Sequence, residues 1–381
     1  MHPGRCPKDP VSVPSAFPRP ASPWPRLLPH RKALAALLRE AGIPGADDPE
    51  TLIALPMRGV AHDHIRIGAG GGLLRIPRLS QWSMAPAENL AYQAACFRRA
   101  EPSGSTPRLL AVLPPDSAVL PRGALLVEAI DGRMPRLAPG LGDDLSALAD
   151  SLARLHALPV PDARDRAPLV DHGAQSEASR RGPIGATLAL LNQHAAFLDR
   201  AELQPAARSL LAHELGKLRE LAAAAAAQDQ PVTLVGTDTH PGNFLLRGDG
   251  RAILVDLEKM LYGAPAIDLA HVTLYTSTTW DRSIGQVLDI AETRRFYAAW
   301  RAAAPADLVR RSEPWLVPCR RLTWLRTVFW AAHWRVAAAS DPDWSASRIE
   351  PGLLAHIRGR VADFLDPETI GRVSADLDEA V

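Results

Sequence analysis

Asp238, Asn243 and Asp256 are the residues of this 381-residue chain whose types and spacing point to chemistry. The first two lie in Val235-Gly236-Thr237-Asp238-Thr239-His240-Pro241-Gly242-Asn243-Phe244-Leu245-Leu246, and Asp256 comes thirteen residues after Asn243, behind the apolar run Ala252 to Val255. Phosphoryl transfer needs a carboxylate beside the acceptor hydroxyl, to orient it and take its proton. It also needs hard oxygen donors for the Mg²⁺ that neutralises the β- and γ-phosphates. An Asp, an Asn five residues on and a second Asp across a turn supply those parts. Gly248-Asp249-Gly250 is the turn, between the short strand candidates Asn243 to Arg247 and Ala252 to Leu257. A hairpin there folds Asp256 back over the loop of Asp238.

The rest of the chain must position this loop. A short amphipathic helix is expected from His30 to Ile43. Ile65 and Ile67 alternate with His64 and Arg66, and Leu74 and Ile76 alternate with Leu73 and Arg75, which reads as two strands. Pro86 to Arg99 is a helix with proline at its first position. Leu109 to Val112 and Ala124 to Ile130 are further strands. Beyond Asp131-Gly132 the pattern turns helical: Leu145 to Leu158, Pro183 to Leu198, Leu203 to Ala226, the region from Asp268 to about Ala339, and Pro351 to Phe364. A small sheet with one helix followed by a larger helical part implies a cleft between them, where ligands usually sit.

The bulk numbers agree with a soluble two-part enzyme and exclude other classes. With 43 basic and 42 acidic residues, net charge +1, there is no global attraction to nucleic acid or to an acidic membrane. Cys6, Cys96 and Cys319 are odd in number and far apart, so neither a disulfide framework nor a zinc site is expected. Residues 1–28 are proline-rich, are expected to be a disordered leader and lack the apolar core of a signal peptide. A cytoplasmic location with no membrane partner follows as the expectation.

The catalytic segment resembles the aminoglycoside phosphotransferase/choline kinase superfamily, whose loop reads H-G-D-x-H-x-x-N and is followed by a hairpin and D-x-[DE]. The similarity covers about residues 50–280 and is specific only around the loop. It implies an α+β, two-lobed protein-kinase-like fold. A small antiparallel-sheet N-lobe would span 29–130 and a mainly helical C-lobe 131–381. It also implies transfer of the ATP γ-phosphate to a hydroxyl of a small molecule. Asp238 then corresponds to the catalytic Asp, and Asn243 and Asp256 to the Mg²⁺ ligands. Glu258 takes the second acidic position. Arg75 would steady the phosphates, with Glu88 as its partner, and adenine would bond backbone at Glu128 and Ile130. Backbone of the loop Gly59 to His64 would lie over the phosphates, and Gly68 to Gly72 is only a hairpin turn.

One departure is visible: Gly236-Thr237 stands where the family has His-Gly. It motivates the alternative of a catalytically silent nucleotide-binding or scaffold protein on the same fold. His156, His240 and Asp268 read as structural residues, Asp268 as a helix N-cap. The acceptor stays open. Seven tryptophans at or after Trp280 suit helix packing better than a cage for a quaternary amine. Glu258, Asp281, Asp289 and Glu292 are available for an aminoglycoside, or are solvated helix surface.

Overall fold

The computed structural model describes residues 30–381 apart from 69, 81, 116–118, 139–142, 175–181 and 341–348. The proline-rich leader therefore lies outside the described residues, as do Cys6 and Trp344. Two lobes make up an α+β, protein-kinase-like fold.

The smaller lobe is a five-stranded antiparallel sheet in the order β1-β2-β3-β5-β4. Its strands are β1 (Leu52–Ala54), β2 (His62–Ile67), β3 (Leu73–Pro77), β4 (Leu109–Leu113) and β5 (Ala124–Val127). The register sets His64 opposite Arg75 and Arg75 opposite Leu125. Alternation along each strand then sorts the two faces. Ile65, Ile67, Leu74 and Leu126 go to one side, where they are buried with Leu34 and Leu38 of α1 (Arg31–Glu40). His62, His64 and Arg75 go to the other, together with Leu125 and Val127. That face packs on α2 (Pro86–Ala100), whose Leu90 and Phe97 join the core of the larger lobe. Arg75 thus points away from Leu74 and Ile76, as its strand pattern requires.

The larger lobe begins with α3 (Asp144–His156), α4 (Gly182–Ala195) and α5 (Pro205–Ala225). Four three-residue strands follow: β6 (Thr233–Val235), β7 (Phe244–Leu246), β8 (Ala252–Leu254) and β9 (Leu261–Gly263). They pair as two antiparallel couples, β6 with β9 and β7 with β8. Then come α6 (Pro265–Thr273), α7 (Tyr275–Thr278), α8 (Ile290–Ala303), α9 (Ala306–Ser312), α10 (Leu316–Ser340), α11 (Pro351–Phe364) and α12 (Pro367–Asp376). α3 packs on α8 and α10 packs on α6, so the catalytic segment rests on buried helices.

Tryptophan fills this helical core: Trp300, Trp315 and Trp324 are buried, and Trp280 meets Trp330 edge-on at 5.5 Å. Asp289 and Glu292 form the capping box of α8, which accounts for both acids without a ligand. No helix among the described residues is long and apolar enough to cross a membrane.

Candidate active site

The loop that carries Asp238 runs from β6 to β7 and is held from below by one carboxylate. Asp268 is fully buried and accepts the Gly236 and Thr237 N–H groups, each at 2.7 Å. Its own carbonyl accepts the Thr239 hydroxyl at 2.8 Å. Asp268 is not the N-cap expected from the sequence: that position is Ala264, and Asp268 stands a turn inside α6. A second contact comes from α3, where His156 Nε2 donates to Asp268 at 3.1 Å. The Trp300 indole N–H donates to His156 Nδ1 at 3.3 Å, which fixes the imidazole proton on Nε2.

This arrangement explains how the loop stands without the usual His-Gly. A Cβ on Gly236 would come within 2.8 Å of Thr239 Cγ2 and 3.1 Å of Leu254, so Thr239 fills the space next to it. Thr237 has φ +58, a left-handed conformation that a β-branched residue adopts only when held there. Three bonds hold it. Its N–H goes to Asp268, its hydroxyl donates to the Lys259 carbonyl at 2.9 Å, and Arg326 donates to its carbonyl. Thr237→Gly should therefore unfold within about 1 kcal/mol of wild type, because relief of strain offsets the lost hydroxyl bond. Thr237→Val keeps the strain and loses the bond, and should cost about 1–2 kcal/mol in urea unfolding. A Val variant as stable as wild type would show that the hydroxyl contact does not hold the loop.

The hairpin brings the remaining groups together. Val255 N–H donates to the Asn243 carbonyl at 2.9 Å, so Asp256 follows directly alongside Asn243. Asn243 Nδ2 donates to the Asp238 carbonyl at 2.7 Å. That bond spends the amide nitrogen and leaves the amide oxygen as a donor toward a cation. Gly242 allows the close turn: a Cβ there would meet Asp281 Oδ2 at 2.8 Å and His240 Cε1 at 2.9 Å.

Two cations complete the set. Lys259 Nζ lies 2.7 Å from Asp238 Oδ2, while Asp238 Oδ1 faces His271 Nε2 at 4.0 Å. Burial would raise the Asp238 carboxyl, but the Lys259 ammonium, with His240 and His271, outweighs it and holds the group well below the usual carboxylate range. Lys259 is raised in turn: burial opposes its charge, and Asp238 and Glu258 win. Arg75 Nη2 lies 2.7 Å from Asp256 Oδ1 and Nη1 donates to the Val255 carbonyl at 3.1 Å. Burial opposes the charge of Asp256, yet Arg75 and His62 keep its carboxyl below the ordinary value.

Glu88 is not the partner of Arg75. It is exposed in the first turn of α2, and the ion pair of Arg75 goes across the cleft to Asp256. The link between α2 and the cleft is Gln93, buried and 2.9 Å from His62 Nε2. His62 Nδ1 in turn lies 3.6 Å from Glu258. His62, Asp256 and Glu258 each offer a ligand atom within 4.8 Å of the others. Burial, then the Asp256 charge, pushes the Glu258 carboxyl up to about 8. Burial, then Arg75, lowers the His62 imidazole to about 4.

Just past β5, the Glu128 N–H is spent on the Arg108 carbonyl at 2.9 Å, and its side chain pairs with Arg247. Of the Glu128 backbone, the carbonyl is what remains for a base. Ile130 lies past the end of β5 and is half-buried.

Lys259, Arg326 and the supporting role of Asp268 escape a reading of the sequence. Lys259 carries a weak local signal, a lone lysine directly after an acidic pair. Arg326 carries none, since one arginine in a 25-residue helix looks like any other.

The family model described as the phosphotransferase enzyme family matches residues 57–306. No curated protein matches the chain in sequence. Among solved structures, a choline/ethanolamine kinase family protein from Mesorhizobium loti superposes with TM-score 0.56 at 20% identity, covering 92% of this chain and 98% of that one. Plasmodium vivax ethanolamine kinase superposes with TM-score 0.58 at 11% identity over 89% of each chain. A macrolide 2'-phosphotransferase from Brachybacterium faecium gives 0.51 at 17% identity, covering 89% of this chain and 98% of the other. At these identities the likeness is one of fold.

Proposed function

Because this chain belongs to the phosphotransferase enzyme family, we propose that it moves the γ-phosphate of ATP to a hydroxyl of a small molecule, with Mg²⁺ as cofactor. One observation carries the reading. Asp238, Asn243 and Asp256 are brought together by two hydrogen bonds, from the Asn243 side-chain amide to the Asp238 carbonyl at 2.7 Å and from the Val255 N–H to the Asn243 carbonyl at 2.9 Å. The donors fit the ion: Asn243 keeps an oxygen, Asp256 keeps Oδ2 beyond Arg75, and Mg²⁺ prefers oxygen ligands. Mg²⁺, when bound, neutralises the charge on the β- and γ-phosphates.

The protein groups then have distinct tasks. Asp238 Oδ1 has no hydrogen bond from the protein at its 4.0 Å contact with His271, and it orients the acceptor hydroxyl and takes its proton. A new bond forms from the acceptor's hydroxyl oxygen to the γ-phosphorus as the bond to the bridging oxygen breaks, and ADP leaves. Lys259 holds Oδ2 and so fixes the rotamer of Asp238. A carboxyl held this far down is a weak base, but phosphoryl transfer depends chiefly on positioning and charge neutralisation. Arg75 holds Asp256 in place, and its guanidinium would steady the phosphates. The Glu128 carbonyl and the Ile130 backbone would take the adenine.

Thermal melting with ATP, with and without Mg²⁺, tests the reading. ATP at about a hundred times its Kd should stabilise the protein by roughly 2.7 kcal/mol, and most of that should vanish with EDTA. A shift indifferent to Mg²⁺ would remove the metal from the proposal. Binding with no ATP consumption across a broad acceptor panel would favour the silent alternative.

A further inference from the structure

Arg326 is a cation that the proposed reaction does not use. It lies on α10 and donates to the carbonyl of Thr237, the residue next to Asp238. Among the described residues no carboxylate pairs with it. Burial lowers its pKa, against the nearby charges of Asp238 and Asp268. Buried charges are normally paired, because desolvation is costly and a peptide carbonyl only partly offsets it.

The described groups around it are either paired already or neutral, and none of them neutralises it by direct contact. Lys259 stands on the other side of Asp238 at 2.7 Å. His271 is 7% exposed, faces Asp238 at 4.0 Å, and its Nδ1 has no partner. His333 lies two turns along α10 from Arg326, on the same side of the helix, and stacks on His194 at 5.1 Å. After burial itself, the Arg326 charge helps hold His271 below the usual imidazole range. The nearby acids are spent elsewhere. Asp171 pairs with Arg166 at 2.9 Å, Asp268 holds two N–H groups, and Asp281 accepts the Ser283 N–H at 2.7 Å.

We infer that the acceptor is a hydroxyl-bearing anion, a carboxylate or phosphate monoester whose charge rests on Arg326 while its hydroxyl reaches Asp238. This rests on the phosphotransferase reading and narrows it. A quaternary amine or an aminoglycoside is a cation and offers Arg326 no partner. The nucleotide is not the anion expected here. Arg326 holds the main chain beside Asp238, whereas Asp256, the proposed ligand of the nucleotide-bound ion, is paired with Arg75.

The test is calorimetric binding to the full chain in the presence of ADP and Mg²⁺. The probes are D-glycerate and glycerol 2-phosphate, set against choline, kanamycin and glycerol. The two anions distinguish a carboxylate from a phosphate. At least one should bind more tightly than every cation and than glycerol. Arg326→Gln should weaken that binding by about ten- to a hundredfold. Arg326→Lys should recover part of it, and Mg²⁺–ATP affinity should stay the same in both variants. Tighter binding of choline or kanamycin, no binding of either anion, or a loss confined to ATP in Arg326→Gln would each overturn the inference. The comparison on wild-type protein stands if Arg326→Gln does not fold. Loss of the Mg²⁺–ATP response itself would instead count against the phosphotransferase reading.

Discussion

Asp238→Asn should lower kcat by about a thousandfold while leaving the Mg²⁺-dependent thermal shift with ATP intact. Asp256→Asn should lose turnover and the Mg²⁺-dependent shift together. The difference follows from what each carboxylate touches. Asp238 is reached by Lys259 and His271 and offers Oδ1 to the acceptor, so its charge serves the hydroxyl side of the reaction. Asp256 is reached by Arg75 and His62 and is proposed to hold the ion on the nucleotide side. An Asn at 238 keeps the shape but cannot accept the proton. It also leaves Lys259 beside a neutral amide, so a modest loss of stability should accompany the loss of rate. An Asn at 256 leaves Arg75 unpaired in the cleft, where it remains available to phosphate. Weak ATP binding should therefore persist and become indifferent to Mg²⁺. Equal loss of nucleotide binding in both variants would mean that the two carboxylates do not have separate tasks.

The parts of this site legible in the sequence are those fixed by local geometry. A loop, a tight turn and a returning strand set the distance between Asn243 and Asp256 almost without help from the rest of the chain, and the turn residues announce themselves. Arg75 was placed by strand alternation, which needs only its neighbours Leu74 and Ile76. Its partner was not, because the choice between Glu88 and Asp256 depends on how the sheet docks on the helical lobe. No local period encodes that docking. The short strands β6 and β9 are not legible in the sequence for a related reason. Three residues are too few for alternation to register, and Leu261–Gly263 becomes a strand only because Thr233–Val235 lies opposite it. Asp268 conceals its role for a third reason. An Asp after Pro-Ala-Ile suits the beginning of a helix by type, and only the path of the catalytic loop over α6 reveals that its carboxylate points away from the helix end.

That carboxylate is where the largest loss of stability is expected. Asp268→Ala removes the acceptor of two buried N–H groups and of His156 Nε2 at once. Each orphaned buried donor costs about 1–3 kcal/mol. Removing the anion from a buried, hydrogen-bonded cluster typically costs about 3–5 kcal/mol in all. The small cavity left behind adds to this, since His156, which lies against the carboxylate, is itself buried. An unfolding free energy lower by about 3–5 kcal/mol is the expected result in urea. Activity should fall further than the folded fraction accounts for, because Thr237 keeps its left-handed φ only while its N–H is held. Asp268→Asn should be milder, since one oxygen still accepts while the new amide group opposes the second N–H. A loss below about 1 kcal/mol in Asp268→Ala would mean that water replaces the carboxylate without cost. The loop beneath Asp238 would then be held from above, by Lys259 and Arg326, rather than by the helix it rests on.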